Sequence, residues 1–452
     1  GVFGVNIIEE ILQLINSSQF AKAKELAQNI EDKVDRINVL GTILFYEGKI
    51  DEALKTFKEA LIVNPEHPDL LFNYSKVLFE KSEYFESWRY LTRIPQKNWE
   101  VYDSLGNTQL KLNNPAMALY YYEKAYKLSG IKELKEKYDS IKKQYSKNEK
   151  LAIFCLPGLD NFIKDIAQVL SHIYEVKLVV TTDGSQILQA YNWADIIWLE
   201  WANEMAVEIT NKLPKNKKRI VCRLHGYEAL RSDFLRSINW NVVDMMIFVA
   251  HSVQRNAYEN MKTLRDKPFQ MIYNGIDLTK YDFKIRSKGT NLVFVGHFNY
   301  KKNPFLTIQI LKKLCDLNKR YKLFWAGQMQ DERIFNYVNY ITQKMGIKSN
   351  FQFDGFQNDV NQYLEDKNTF LSTSIHEGYG VAILEAMTKG IKPVIHNFYI
   401  AEEFYPQEYI FNTVDEAVSM VIDEDYDSEK YRRFVEEKSS FEEQIKKIVE
   451  AL

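Results

Sequence analysis

The sequence predicts an α/β chain in which an all-helical repeat domain precedes two domains of alternating strand and helix. Three observations carry this expectation. Small and aromatic residues recur at fixed offsets in the first third of the chain. From Leu151 onward, short apolar runs alternate with amphipathic stretches, and the alternation occurs twice, with a break near 282–289.

The repeats come first. Leu40, Gly41, Ala53, Phe57, Ala60 and Pro65 are spaced as in a helical hairpin repeat of about 34 residues. Leu105, Gly106, Ala118, Tyr122 and Ala125 reproduce the first five at a constant offset of 65 residues. Between them, Ser75 and Ser87 stand 34 residues after Gly41 and Ala53, and 31 residues separate Ser87 from Ala118, so the middle unit is three residues short. Phe20, Ala23 and Ala27 look like the second helix of an earlier, partial unit. Glycine and alanine let two helices of a hairpin approach closely. Phe57 and Tyr122 are expected to fill the space between neighbouring hairpins, and Pro65 to stop a helix. The pattern resembles the tetratricopeptide repeat family over about residues 5–145, which implies a groove for a protein or peptide partner; bracing of the following domains is the alternative. The charged run KELKEKYDSIKKQYSKNEK (132–150) reads as a terminal helix and linker, placing the boundary near Asn148.

The second part has strand-like runs at 151–156, 176–181, 195–199, 219–224, 244–249 and 270–273, then at 291–295, 322–325, 351–353, 369–372 and 393–396. Strands alternating with helices of this length imply parallel sheets, here two Rossmann-like domains with a cleft between them. Ligands of such sheets bind at the carboxyl ends of the strands, so the loops there carry the function.

The most informative loop is STSIHEGYGVAILEAMTKGIKPV (372–394). It leaves a strand, turns at Glu377-Gly378-Tyr379-Gly380, and is expected to run as a helix to about Lys389, with Glu385 two turns in. The glycines let backbone approach a ligand, and the N–H groups that open the helix form an anion site suited to a diphosphate. Carboxylates accept hydrogen bonds from vicinal hydroxyls, which a hexose and a ribose both offer. This stretch, through Glu377, Glu385, Ala386, Met387, Gly390, Pro393 and Val394, closely resembles the retaining glycosyltransferases of the GT-B fold, which include glycogen synthase-like and phosphatidylinositol mannosyltransferase-like enzymes. The likeness covers roughly residues 150–452. It implies that Glu377 meets the donor hexose, that Glu385 meets the ribose, and that Gly378, Tyr379 and Gly380 line the donor site.

A second loop, NLVFVGHFNYKKNP (291–304), reads as strand, glycine turn and helix, with Asn303 as N-cap and Pro304 at the first helical position. A lysine just before a helix N-terminus opposes the helix dipole, and a bound anion reverses that sign. Lys302 matches the family lysine that binds the donor phosphates, with Gly296 beside it and Lys301 a solvated neighbour. The family's usual arginine after the glycine is replaced here by His297. In the first α/β domain, CRLHGYE (222–228) places His225 at a strand end and resembles the family's His-Gly stretch near the transferred sugar. Gly158 in Pro157-Gly158-Leu159 resembles the glycine loop beside the donor phosphates. Asn274-Gly275-Ile276-Asp277 reads as a tight turn opening the interdomain linker, and Gly355 and Phe356 as flanking the nucleotide base.

Bulk properties bound the rest. Hydrophobic residues make up 46% and charged residues 27% of the 452, enough for about three domains with buried cores. A net charge of −2 gives no basis for a nucleic-acid partner. No apolar run reaches the roughly 20 residues that span a bilayer. The first residues lack a signal peptide's basic start and apolar stretch, and Gly1 is expected to be a cloning remnant. Cys155, Cys222 and Cys315 form no CxxC pair and read as buried thiols in a reducing cytoplasm. Asp423-Glu424-Asp425 mimics an Asp-x-Asp metal motif, but Ala417, Val418, Val421 and Ile422 recur at helical spacing, so these acids end a helix.

The expected organisation is a repeat domain over 1–148, Rossmann-like domains over 149–286 and 287–430, and a C-terminal helix over 431–452 that crosses back. The expected activity is retaining, metal-independent transfer of a hexose-type sugar from a UDP- or GDP-linked donor to an acceptor hydroxyl, with no further cofactor. Glu377, Lys302 and His225 form the expected catalytic group. Two alternatives stay open: a nucleotide-sugar-binding scaffold without turnover, which His297 suggests, and an epimerase or phosphorylase, which the fold equally permits. Because Lys302 and helix N–H groups take the place of a divalent ion, turnover is expected to survive EDTA. Abolition by EDTA, with recovery on adding magnesium or manganese, overturns the site assignment.

Overall fold

The computed structural model describes residues 2–452, with side chains from Ile7 onward; Gly1 lies outside the described residues. The chain divides into two compact units, one ending at Tyr145 and one spanning Ser146–Leu452.

The first unit is helical: α1 (Val2–Asn16), α2 (Phe20–Ala27), α3 (Lys33–Tyr46), α4 (Ile50–Val63), α5 (Pro68–Glu80), α6 (Tyr84–Thr92), α7 (Trp99–Lys111), α8 (Pro115–Ser129) and α9 (Lys132–Tyr145). Consecutive helices pack as hairpins, α1 with α2 through α7 with α8. Local chemistry sets their starts. The Asp32 and Asn98 side chains accept the Asp35 and Val101 N–H groups, and Pro68 and Pro115 open α5 and α8.

The repeat glycines have a steric purpose. A Cβ at Gly41 would lie 2.6 Å from Phe57 Cζ, and one at Gly106 would lie 2.4 Å from Tyr122 Cε1. Phe57 and Tyr122 therefore fill the gap inside their own hairpins, and Tyr122 also meets the next helix, where Lys137 Nζ of α9 lies 4.4 Å from its ring. The aromatic ring of the second helix lies directly over the glycine of the first, where only a missing side chain leaves room. In the middle hairpin the corresponding position is the buried Leu91, and Ser87 donates to the Ser75 carbonyl at 2.8 Å.

The second unit holds two six-stranded sheets, parallel throughout. The first contains β1 (Lys150–Cys155), β2 (Glu175–Val180), β3 (Ile196–Glu200), β4 (Arg219–Leu224), β5 (Met245–Phe248) and β6 (Phe269–Met271), in the order β2-β1-β3-β4-β5-β6. Its helices are α10 (Lys164–Leu170), α11 (Gly184–Trp193), α12 (Glu204–Lys212), α13 (Ser232–Ser237) and α14 (His251–Asn260). The second contains β7 (Asn291–Val295), β8 (Lys322–Ala326), β9 (Phe351–Gly355), β10 (Thr369–Ser372), β11 (Lys392–His396) and β12 (Ile410–Phe411), in the order β12-β11-β10-β7-β8-β9. With it come α15 (Pro304–Leu317), α16 (Glu332–Lys344), α17 (Val360–Tyr363), α18 (Val381–Thr388), α19 (Val414–Ile422), α20 (Ser428–Lys438) and α21 (Phe441–Ala451). The sequence had not marked β12, whose two residues are too short to carry a periodic signal. β3 and β10 are buried along their whole length, as central strands of a covered parallel sheet must be. Phe294 and Trp325 stack at 4.3 Å in the core of the second sheet.

The linker and the C-terminal helices tie the two sheets together. The Ile276 N–H donates to Ser439 O at 2.8 Å, and the Phe441 N–H donates to Ile276 O at 2.9 Å. Gly275 is required there, because a Cβ would lie 2.5 Å from the Ser440 carbonyl oxygen. α20 packs on α18, whereas α21 packs on α10, and Arg219 donates to Ala451 O at 2.7 Å. The chain thus crosses from the second sheet's layer to the first between α20 and α21. Asp423 follows the last residue of α19, and Glu424 pairs with Lys288, as acids at a helix end do. No helix among the described residues is long and apolar enough to cross a membrane.

Replacing Gly106 with valine forces bulk into the Tyr122 contact. The expected cost is about 1–3 kcal/mol, read as a lower urea midpoint by far-UV circular dichroism. An unchanged midpoint refutes the tight packing of α7 on α8.

Candidate active site

The carboxyl ends of β4, β7, β8, β9 and β10 converge on a cavity of about 550 Å³, a volume in the range of small-molecule sites. His225, Gly296, His297, Lys302, Glu377, Gly378, Tyr379, Gly380 and Glu385 all line it. Gly158 does not. It turns the chain after β1 with φ +85°, and that segment reaches the cavity through Phe162 instead. Phe356 and Gln357 after β9, and Gln328 after β8, complete one wall.

The loop after β7 is set by side-chain capping. Asn299 Oδ1 accepts the Lys301 and Lys302 N–H groups at 3.0 and 3.3 Å. Asn303, expected to cap α15, makes no capping bond. Its backbone is left-handed at φ 55°, whereas a capping side chain reaches the first turn from the extended region. Pro304 opens the helix as expected. Gly296 leaves room for Lys302, whose Cε would lie 3.1 Å from a Cβ there.

Lys302 and Glu377 meet directly: Lys302 Nζ donates to the Glu377 carboxylate, which also accepts from Ser374 Oγ at 2.9 Å. Each side chain is 18% exposed, so pairing offsets the cost of partial burial. Hydrogen bonds hold the two loops side by side: the Ile375 N–H donates to Lys301 O at 2.9 Å, and the Thr373 hydroxyl donates to Lys302 O at 2.8 Å.

Gly380 adopts φ +82°, a left-handed conformation that closes the expected turn, and α18 opens at Val381. Glu385 consequently lies one turn into the helix, not two. Burial pushes its carboxyl above the usual carboxylate range, and the hydroxyl of Tyr281, from the linker, donates to it and partly offsets that shift. The Tyr379 hydroxyl donates to Asn274 O at 2.8 Å, and its ring packs 5.7 Å from Tyr273 and 5.0 Å from Phe404. The candidate loop is thereby anchored to the turn that opens the linker.

The opposite wall carries a cluster that sequence reasoning missed. Glu200, the last residue of β3, is 1% exposed. Arg223 donates to it through Nε at 2.7 Å and Nη2 at 2.6 Å, and His225 Nε2 lies 2.7 Å from Glu200 Oε1. Burial pushes the Glu200 carboxyl up, but Arg223 and His225 outweigh that effect and hold it at about 2. The signal was present: an ionisable residue ends an otherwise apolar strand, IIWLE. Cys155, Cys222 and Cys315 are buried, and burial pushes the Cys155 thiol up to about 12. Among the described residues, no group of three or more His, Cys, Asp or Glu side chains could hold a metal ion. Chemically, the cavity offers a cation and a helix N-terminus for an anion, and two carboxylates for hydroxyls.

The Tyr281–Glu385 contact makes a pH prediction. The folded pKa of Glu385 lies above its unfolded value, so this group adds stability as pH falls through the folded pKa and subtracts it at neutral pH. Tyr281→Phe removes the hydroxyl that favours the ionised form and raises the pKa further. It should cost about 1–3 kcal/mol at neutral pH, shrinking as acidification protonates Glu385. Urea unfolding at several pH values measures this, and a penalty that does not vary with pH refutes the pairing.

Comparison with known proteins agrees with the geometry. The family model for glycosyl transferases group 1 matches residues 277–438, and one for the tetratricopeptide repeat matches residues 100–131. A GDP-mannose:cellobiosyl-diphosphopolyprenol alpha-mannosyltransferase of Xanthomonas campestris is 22% identical over 254 residues, 52% of this chain and 67% of that protein. The capsular polysaccharide biosynthesis glycosyltransferase CapH of Staphylococcus aureus is 26% identical over 159 residues, 34% of this chain and less than half (43%) of its own length. Among solved structures, a glycosyltransferase from Rickettsia africae aligns with TM-score 0.55 at 14% identity, over 67% of this chain and 97% of its own. HepE of Anabaena in complex with UDP aligns with TM-score 0.54 at 15% identity, over 67% of this chain and 98% of its own. At such identities the likeness establishes the fold. The helical unit thus matches the tetratricopeptide repeat over residues 100–131, the two sheets form a GT-B fold, and residues 277–438 match the glycosyl transferases group 1 family.

Proposed function

We propose that the α/β unit transfers a hexose from a nucleoside-diphosphate sugar to an acceptor hydroxyl, with retention at the anomeric carbon and without a metal. The observation that carries this reading is the convergence of Lys302, the start of α18, Glu377 and Glu385 in one cavity. Lys302 and the α18 N–H groups would hold the diphosphate and stabilise it as it leaves, while the acceptor hydroxyl attacks from the same face. Glu377 would accept hydroxyls of the hexose, and Glu385 would accept those of the ribose. The GDP-mannose donor of the Xanthomonas relative and the UDP bound to the Anabaena protein support a GDP- or UDP-linked donor.

The helical unit would recruit a protein or peptide partner. A cavity of about 200 Å³ opens there between α3, α5 and α7, lined by Phe45, Ser75, Phe79, Ser104 and Asn107. A second reading, donor binding without turnover, is favoured by His297, which lines the cavity where the family carries arginine. Nucleoside-diphosphate binding without donor hydrolysis selects this second reading.

The two glutamates separate by role. Glu385→Gln removes contacts made equally before and during reaction, so nucleoside-diphosphate affinity should fall roughly tenfold by calorimetry. Glu377→Gln removes contacts to the sugar as it gains positive charge, so turnover should fall far more than nucleotide affinity. If Glu377→Gln weakens nucleotide binding as much as Glu385→Gln does, the roles are misassigned. If neither change affects binding or turnover, the transferase reading fails.

A further inference from the structure

The cluster behind His225 has no part in the roles assigned above, yet it is built more tightly than the cavity it borders. Glu200 and Arg223 are Cα partners in the parallel register of β3 and β4, so the pairing of the strands itself brings them together. Arg223 is fully buried and completes its bonding through Nη1 to Asn274 Oδ1 at 3.2 Å and Nη2 to Phe162 O at 3.4 Å. The His225 ring lies 4.2 Å from the Trp201 ring and stacks 5.5 Å from Phe162. Trp201 holds φ +76°, a conformation rare for a bulky side chain, and its Nε1–H is fixed on Leu159 O at 2.9 Å. The His225 and Gly226 N–H groups both donate to the Glu228 carboxylate. Ring plane, ring edge and backbone of His225 are thus each constrained by a separate partner.

A carboxylate has only acceptor positions. A neutral imidazole whose Nε2 lies against one must carry its proton on Nε2, so Nδ1 remains a bare acceptor. Arg223 supplies the two donors that hold the carboxylate in this orientation, and it keeps Glu200 ionised throughout the physiological range.

We infer that Glu200, oriented by Arg223, is a positioning residue that fixes the neutral His225 ring as the Nε2–H tautomer, so that the neutral ring can meet a hydroxyl in the cleft only as an acceptor through Nδ1. The inference rests on the proposed transfer reaction for its consequence, and on register and hydrogen bonding for its geometry. Glu200 itself touches no substrate. Its effect is to remove the alternative tautomer and ring flip that would put a donor where an acceptor is needed.

The test begins on the unaltered protein. Imidazole ¹⁵N shifts of His225, followed to alkaline pH where the ring is neutral, should show the proton on Nε2; a proton on Nδ1 overturns the inference outright. Glu200→Gln should then mix the tautomers and lower kcat roughly 10- to 100-fold, with donor KM and nucleoside-diphosphate affinity within about twofold. A purely structural role would instead leave the ¹⁵N signature intact or shift KM and kcat together. If Glu200→Gln unfolds because it strands the Arg223 charge, Glu200→Met combined with Arg223→Met removes both charges and reads the same quantities. An unaltered protein that neither binds nucleoside diphosphate nor hydrolyses donor defeats the transfer reading, not the tautomer. Normal kcat in Glu200→Gln, in a protein that does turn over, defeats this inference alone.

Discussion

Parallel strand pairing is the constraint from which the rest follows. Every strand in both sheets runs the same way as its neighbours, so the carboxyl ends collect on one edge, and each connection must return along the sheet as a helix or irregular segment. The loops leaving those ends are free of the ladder and can carry polar side chains into a cleft. Lys302 and Glu377 are 75 residues apart in the chain, but β7 and β10 are adjacent, with Leu292 opposite Thr369. Their loops therefore emerge side by side. The same logic places Glu200 against Arg223.

Charge accommodation shapes the cleft within that frame. A partly buried ion is costly unless paired, and the acidic residues in and behind the cleft each have a donor from a different segment. Lys302 serves Glu377, Tyr281 serves Glu385, and Arg223 serves Glu200. Lys302 and Glu377 join two loops of the second sheet, Arg223 and Glu200 join two strands of the first, and Tyr281 ties the linker to α18. Tyr379, bonded to Asn274, adds a second tie to the linker, and the Arg255–Glu403 pair joins α14 of the first sheet's layer to the segment after β11 of the second. On the proposed reading, a bound diphosphate would share Lys302 with Glu377 and so couple phosphate and sugar binding through one ion pair.

Much of this was legible in the sequence because it is local. The strand-helix alternation, the hairpin repeat, the helix opened by Pro304 and the loop containing Glu377 and Gly380 all follow from residue type at short spacing. Where local rules failed, backbone geometry overrode them. Asn303 has the chemistry of an N-cap but a left-handed backbone that keeps its side chain from the first turn. Phe57 and Tyr122 were identified as packing residues, yet which gap they fill depends on how two helices lie against each other.

The sequence by itself determined the two kinds of unit, the parallel architecture and most of the side chains facing the cavity, since each rests on periodicity or on a contiguous motif. Only the tertiary structure decided which charges meet. Glu200, Tyr281 and Gln357 lie in stretches with no motif of their own, and their importance arises from strand order and from the path of the linker. Strand order is a non-local property: the neighbour of β7 is β10, and no spacing along the chain encodes that adjacency.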